Sequence, residues 1–590
     1  MTLPPIDLAI IVVYLVAVVG VGVVVRKAAS RGIDSYFLGE HKTSWWILAA
    51  SGSSSYFDIT GTMWIVSLFM LYGVKGMWEQ WIWGFTYAAF FMTFMGKWIR
   101  RSKVLTGAEW MQTRFGSGRA GEWARGSYAL LAVVTLVAFI TYSSVGIGKF
   151  GKEFLPGWTD NQCALLIVGL VAVYATFGGF VSVVLVDLLH TVVLSVGAIA
   201  LCVYAFIKAS AAPAVQAFAA GEMGNLAPPW RLPIPPDAPK ELLPYEMFGL
   251  LLILWVVKGL VQELGGPPQM FDFQRFLAAR NSRDASKIGA LWGVLHVLRW
   301  PFIAAIVVLA LSAGLQGVAD KERVLPTVLR DLLPDGLRGF TLAALLAAFM
   351  SSLDAMVNAG ASYLVRDLYQ RYTRPKAGPR ELVYAGYAAS ILLVAVSLVV
   401  MVGFGERTIG QMFTWIMLVL GGAVMIPCLL RWYWWRFNGW GFTVGVLVGI
   451  VTALAQGLWF ADAPIYHCFP IVAAVNLLAC VAAALLSPPT DRETLKSFYR
   501  TVHPGGFWGP VARDVAAEDP GFCKESFAVE LLNTALGIPW IMALYVFPIF
   551  LMFRRWTAMW GWLAVAAALS VALYFSWYKR LPAPEPQEPC

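Results

Sequence analysis

The sequence predicts an all-α, polytopic membrane protein, and three observations carry that expectation. Of 590 residues, 59% are hydrophobic and only 13% are charged, too little charge to coat a soluble globule of this size. The apolar residues gather into runs of about 20, the length a helix needs to cross a bilayer. The basic residues behind the net charge of +9 fall in short clusters between those runs. That is the pattern of cytoplasmic loops, and no nucleic-acid partner is expected.

Taken in order, about fifteen spans are expected, at approximately 5–25, 45–71, 77–98, 124–148, 162–178, 182–207, 245–270, 286–313, 338–366, 381–403, 408–431, 440–460, 468–486, 533–553 and 556–577. The first has no basic residue before it and Arg26 and Lys27 after it, the reverse of a cleavable signal. It is expected to be retained, with the N-terminus outside a cell (plasma or inner) membrane. Alternating sides from there places inside, in turn, Arg26, Lys27, Arg31 and Lys42; Lys97, Arg100, Arg101 and Lys103; Arg275, Arg280, Arg283 and Lys287; Arg366, Arg371, Arg374, Lys376 and Arg380; and Arg431 with Arg436. Outer loops are short or balanced, as in Asp320-Lys321-Glu322-Arg323, which supports the order through the eleventh span. Arg554 and Arg555 fall outside on this scheme.

Two connections are long. The outer one, 209–241, is rich in Pro and Ala and is expected to be extended. The inner one, 487–521, is expected to hold no folded domain. The seven cysteines, Cys163, Cys202, Cys428, Cys468, Cys480, Cys523 and Cys590, have no metal-ligand spacing and read as small buried hydrophobes.

The second span is interrupted by Gly52-Ser53-Ser54-Ser55-Tyr56-Phe57-Asp58-Ile59-Thr60-Gly61. Hydrocarbon tolerates such a stretch only where it is buried in protein or lines a wet cavity, so it is expected to form half of an ion and solute site. The seventh span breaks at Gln262-Glu263-Leu264-Gly265-Gly266-Pro267-Pro268-Gln269, where Pro removes donors and Gly relaxes the backbone. The breaks lie five helices apart. Interrupted helices at matching positions of two five-helix halves point to an inverted-repeat transporter with its site at the midplane. The expected organisation is an N-terminal extra helix (1–30); a stretch 44–270 with the first repeat and the opening of the second, broken helices at 45–71 and 245–270; the rest of the second repeat (271–435); and about four accessory helices with the cytoplasmic loop 487–521 (436–590).

On the ninth span Ala348, Ser351 and Ser352 stand at i, i+3 and i+4, on one face. A carbonyl and two hydroxyls are hard ligands for a small monovalent cation; the same small residues let another helix approach, and spacing alone does not choose. Asp58, Glu79, Lys258, Glu263, His296 and Arg299 are ionisable inside spans and are expected to face the cavity or to pair, Lys258 with Glu263 across the break. Glu79 sits among Trp78, Trp81 and Trp83, whose indoles offer flat faces and N–H donors to a polar ligand or form an interfacial belt. His296 suits a ligand contact or a structural hydrogen bond equally. The candidate solute contacts are Tyr56, Asp58, Glu79, Gln80, Trp83, Gln262, Glu263, His296 and Gln411. There is no HExxH, Walker A or GxSxG pattern and no output domain, so neither an enzyme nor a sensor is expected.

Several motifs, in order along residues 5–435, are similar to those of one family. They are Ser35-Tyr36-Phe37-Leu38-Gly39; Thr106-Gly107-Ala108-Glu109-Trp110 with Arg114-Phe115-Gly116; Phe177-Gly178-Gly179 followed by Asp187; Gln274-Arg275-Phe276-Leu277-Ala278-Ala279; and Met350-Ser351-Ser352-Leu353-Asp354 followed by Arg366-Asp367-Leu368-Tyr369. The chain resembles the sodium:solute symporter family, which includes sodium-coupled sugar, proline and sialic acid transporters. The resemblance implies a LeuT-like five-plus-five inverted-repeat core with one helix before it and extra helices after. It also implies a sodium ion held by the carbonyls of Ser54 and Phe57, the carbonyl of Ala348 and the hydroxyls of Ser351 and Ser352, with Asp187 close by. Where members with a second sodium carry further hydroxyls, this chain has Asp354 and Ala355. Where sugar-transporting members carry an Asn and a Gln in the first broken helix, it has Tyr56 and Gly61. The expected function is sodium-coupled symport of a small polar solute, a sugar or polyol first and an amino acid or organic anion next. A proton-coupled symporter of the same fold is the alternative, with Asp58, Asp187 or Asp354 titrating; the oligomeric state is left open, a monomer included.

Overall fold

The computed structural model describes residues 3–29, 43–104, 106–177, 180–234, 240–266, 272–404, 408–460, 463–522 and 526–582. The motif at 35–39, Gly178-Gly179, Pro267-Pro268-Gln269, Cys523 and Cys590 lie outside the described residues. Among those described, structure is helical apart from one isolated bridge between Trp434 and Phe507.

The helices run in the expected order. They are α1 (Pro5–Ala29), the two halves α2 (Trp45–Tyr56) and α3 (Ile59–Tyr72), α4 (87–101), α5 (Arg119–Lys152), α6 (Asp160–Phe177), α7 (Phe180–Lys208), α8 (Phe248–Gly265), α9 (282–312), α10 (Leu337–Ser362), α11 (Pro379–Phe404), α12 (409–433), α13 (Gly439–Trp459) and α14 (Ile465–Leu486). Two inner-loop helices follow, α15 (Arg492–Val502) and α16 (Gly509–Glu518), then α17 (Phe527–Met552) and α18 (Trp556–Ser576). Eleven helices among the described residues are long and apolar enough to cross a membrane. The four remaining expected spans correspond to α1, α4, α6 and α12.

Both interruptions are present. Phe57 (φ −87°, ψ 60°) ends α2, and Asp58 opens α3 in an extended conformation with its carboxylate accepting from Gly61 N at 2.7 Å, the usual N-cap arrangement. Gly266, at φ +117°, ends α8, and a short helix, Asp272–Leu277, resumes beyond it.

Three expectations are corrected. The span at 77–98 is not one helix: Gly73 (φ +73°) stops α3, residues Gly73–Trp83 wind as a tighter 3-10 segment, and Gly84 (φ +83°) turns the chain into α4. An L side chain is strained at both glycines, and a Cβ at Gly73 would meet the backbone of Met223 at 2.0 Å. The outer connection is not simply extended, since Pro213–Ala220 is helical. In the inner loop α15 and α16 pair, tied by Lys496–Glu518 and Arg492–Asp514 ion pairs, both 2.5 Å. Its Trp508 stacks on Phe498, and Phe498 packs edge-on against Trp110. Arg554 and Arg555 find their purpose at a helix end: Arg554 reaches Ser210 Oγ (2.7 Å) and Phe206 O (3.3 Å), Arg555 the Gly224 carbonyl (2.6 Å). Cations suit the carbonyl-rich C-terminus of α7.

Candidate functional site

The serines of α2 meet α10 in a buried oxygen cluster. Ser54 Oγ lies 2.8 Å from Ser351 Oγ and Ser55 Oγ lies 3.2 Å from it; Ser352 donates to the Ser55 carbonyl (2.6 Å) and to Ala348 O (3.0 Å). Asp187, from α7, accepts from Ser351 and from Ser51, each at 2.5 Å. Helical spacing explains the set. Ser51, Ser54 and Ser55 stand at i, i+3 and i+4 on α2 and face the matching triplet on α10. Every member is at most 3% exposed, so the hydroxyls must find partners here or pay for desolvation.

Five of the six residues expected around an ion therefore converge: Ser54, Ala348, Ser351, Ser352 and Asp187. The sixth, Phe57, does not join their hydrogen bonds. Its ring packs edge-on against Phe302 (5.4 Å), and its amide donates to the Ser54 carbonyl (3.2 Å). Ser54 takes part through its hydroxyl, and the α2 carbonyl reached by α10 is that of Ser55. α10 thus reaches the Ser55 carbonyl, next to the Ser54 carbonyl expected to face an ion, and α2 ends at Phe57.

Residues beyond the second break close on the first. Tyr56 Oη donates to Asp272 (2.6 Å), and Arg275 donates to Ser51 Oγ (3.2 Å), Ser51 O (3.3 Å) and Ser55 Oγ (2.8 Å), with Asp187 at 3.5 Å. Sequence reasoning missed Ser51, Asp272 and Arg275 as site residues. Arg275 stands inside a quoted motif, and Ser51 completes the serine spacing, so both signals were present. Asp272 carried none.

Around Tyr56 lies an aromatic chamber. Tyr56 stacks on Tyr87 (5.0 Å) and meets Trp83 edge-on (6.4 Å); Trp83 stacks on Phe413 (5.0 Å); His296 lies 5.4 Å from Tyr56 and 2.9 Å from Tyr87 Oη. Asp58 pairs with Arg299 (3.0 Å), which also donates to the Tyr56 carbonyl (2.9 Å). Glu79 accepts from Tyr245 (2.6 Å), and Gln80 is buried beside it. Lys258 and Glu263 are not a pair. Lys258 bonds to Ile82 O (2.5 Å) and Gln262, whereas Glu263 accepts from Thr86 N (3.1 Å) and Thr86 Oγ1, each satisfying the 3-10 connection that the sequence hid. Gln411 sits apart, exposed, in a capping box with Thr408 at the start of α12.

An interrupted helix meeting α10 at a buried oxygen cluster, residues beyond a second interruption closing on it, and aromatic rings packed alongside are the arrangement of a secondary transporter of the alternating-access class. The family model for the sodium:solute symporter family matches residues 36–449, and the chain belongs to that family. It is a multi-pass membrane protein that couples a solute to sodium, not an enzyme. It is 26% identical over 507 residues to sodium/glucose cotransporter 4 of Danio rerio, covering 77% of this chain and 72% of that one. Identity to sodium/myo-inositol cotransporter 2 of Oryctolagus cuniculus is 24% over 558 residues, covering 84% and 78%. The fold is similar, with TM-score 0.65, to a Na+-coupled sialic acid symporter solved substrate-bound and outward-open, at 17% identity and covering 83% of this chain and 99% of that chain.

Proposed function

We propose that the chain carries sodium together with a small polyhydroxylated solute, a sugar or polyol, inward across a cell membrane with its N-terminus outside. The carrying observation is the meeting of Ser54 and Ser55 with Ser351 and Ser352 beside Asp187. The oxygens there are hard, and the Asp187 carboxylate, shared with Arg275 at 3.5 Å, supplies negative charge. Sodium would exchange the hydrogen bonds among these hydroxyls for ion–oxygen bonds, so its entry ties α2 to α10 and its exit releases them. Because the ion and the chamber share α2, a shift of this helix alters both affinities together. The relatives named for glucose and myo-inositol support a polyol, and so do the buried Glu79 carboxylate as a hydroxyl acceptor and the flat faces of Tyr56, Trp83 and Phe413.

Solute uptake into proteoliposomes tests this reading. An imposed sodium gradient should drive accumulation of a radiolabelled polyol, and Ser351→Ala with Ser352→Ala should lower apparent sodium affinity at least about tenfold, since each lost charged contact is worth about 1.5–3 kcal/mol. Unchanged sodium dependence in the double variant would refute the ion site.

A further inference from the structure

Arg275 stands between two buried carboxylates and closes on neither. It lies on the short helix Asp272–Leu277 beyond the second break and is 3% exposed. Its Nη2 is 3.5 Å from Asp187 Oδ2, and its Nη1 is 3.9 Å from Asp272 Oδ1. Charged hydrogen bonds ordinarily close to about 2.7–2.9 Å. The guanidinium rests instead on neutral oxygens of α2: Ser55 Oγ (2.8 Å), Ser51 Oγ (3.2 Å) and Ser51 O (3.3 Å). Asp272 is 0% exposed; its Oδ2 takes the Tyr56 hydroxyl, and its Oδ1 is buried with no hydrogen bond among the described residues. No other cation lies within 4 Å of Asp272 among those residues. Such an oxygen is costly to bury until a positive group closes on it, and Arg275 is the group in reach.

We propose that Arg275 is a tethered competitor of sodium with two resting places, and that sodium entry drives it from the first to the second. In the first it lies on Ser51 and Ser55 beside Asp187. Ser55 is 3.2 Å from Ser351 Oγ, and Asp187 accepts from both Ser51 and Ser351, so ion and guanidinium contend for one set of oxygens and repel each other across a few ångströms of buried protein. In the second place Nη1 bonds to Asp272 Oδ1, a move of about 1 Å from its present distance to an ordinary charged bond. The same carboxylate holds Tyr56, whose ring stacks on Tyr87 and meets Trp83 edge-on in the chamber. Arrival of the ion is thereby passed to a chamber wall the ion does not touch, through one group with two positions that both sites bias. This rests on the proposed ion site and adds to it the residues that answer the ion.

The test follows the melting temperature of the full chain in nanodiscs as sodium replaces choline at constant ionic strength, and reads the sodium concentration of half-effect. Arg275→Met should lower that concentration at least about tenfold, because the competing charge is gone. A merely structural arginine would give the opposite sign, since its loss loosens the serines around the ion. Asp272→Asn should raise the concentration at least about threefold, although Asp272 is outside the ion set, because Arg275 then keeps to Ser51 and Ser55. Combined with Arg275→Met, the Asp272→Asn effect should shrink to less than half. The inference is overturned if Arg275→Met leaves the half-effect concentration unchanged or raises it, or if Asp272→Asn acts equally with and without Arg275. Should Arg275→Met fail to fold, Asp272→Asn decides alone, and unchanged or tighter sodium binding in it overturns the inference. A wild-type protein that sodium does not stabilise would strike the ion-site reading itself, and this inference with it; a stabilised wild type with the wrong sign in the variants strikes this one only.

Discussion

At the scale of single residues, Asp58 and Arg299 do the most with the least. Asp58 is both the N-cap of α3 and the counter-charge of Arg299, and substitution can separate the two roles. Asn caps a helix as well as Asp does, so Asp58→Asn removes only the charge and leaves the largely enclosed Arg299 uncompensated. The expected cost is about 3–5 kcal/mol, read as a fall in melting temperature in detergent; adding Arg299→Met should recover most of it. The meeting of these oxygens was legible at this scale because serine and alanine at i, i+3 and i+4 are visible as letters. Partner choice was not: Asp272 with Tyr56, and Lys258 with Ile82 rather than Glu263, depend on which helices touch, and no spacing rule spans more than 170 residues.

Among the elements, α1 stands outside the repeats yet holds α10, the helix that carries Ser351 and Ser352 of the proposed ion site. Buried Asp7 accepts from Gly336 N (2.6 Å) and Gly339 N (3.0 Å) and pairs with Arg338 (2.6 Å), so a carboxylate from one helix caps the N-terminus of α10. Asp7→Ala should lose at least about 1–2 kcal/mol of stability, measured by thermal unfolding, and should weaken sodium binding without touching a ligand. The α15–α16 pair responds to acid. The Arg492 hydrogen bond holds Asp514 below the ordinary carboxylate range, and Lys496 and Arg500 do the same for Glu518. Depressed values mean that these bonds support docking at neutral pH and lose that support as pH falls below about 4; limited proteolysis of the loop should accelerate in that window. The order of helices and both breaks were readable from apolar length and from Gly, Ser and Pro. The 3-10 segment was not, because Gly73–Trp83 runs on without proline from an apolar helix, and only the backbone angles of Gly73 and Gly84 reveal the turn.

For the whole molecule, the charge on the solute decides how the membrane potential is used. One sodium moved with a neutral polyol through 100 mV gains about 2.3 kcal/mol, roughly a 50-fold concentration ratio. With a carboxylate on the solute, the two charges cancel and the potential adds nothing. Uptake into proteoliposomes clamped with valinomycin should therefore be indifferent to voltage for an acidic solute and steeply dependent for a neutral one. Motion of the whole is also constrained at one point. Arg299, from α9, grips the Tyr56 carbonyl that closes α2 and the Asp58 carboxylate that opens α3, so one planar group bridges a gap in which the backbone makes no helix. The two halves cannot tilt apart gradually against such a clasp: either both bonds hold or one lets go. Arg299 thus behaves as a mechanical detent, turning a continuous bend into a click between resting positions, and dwell times in single-molecule records should lengthen or shorten with its grip.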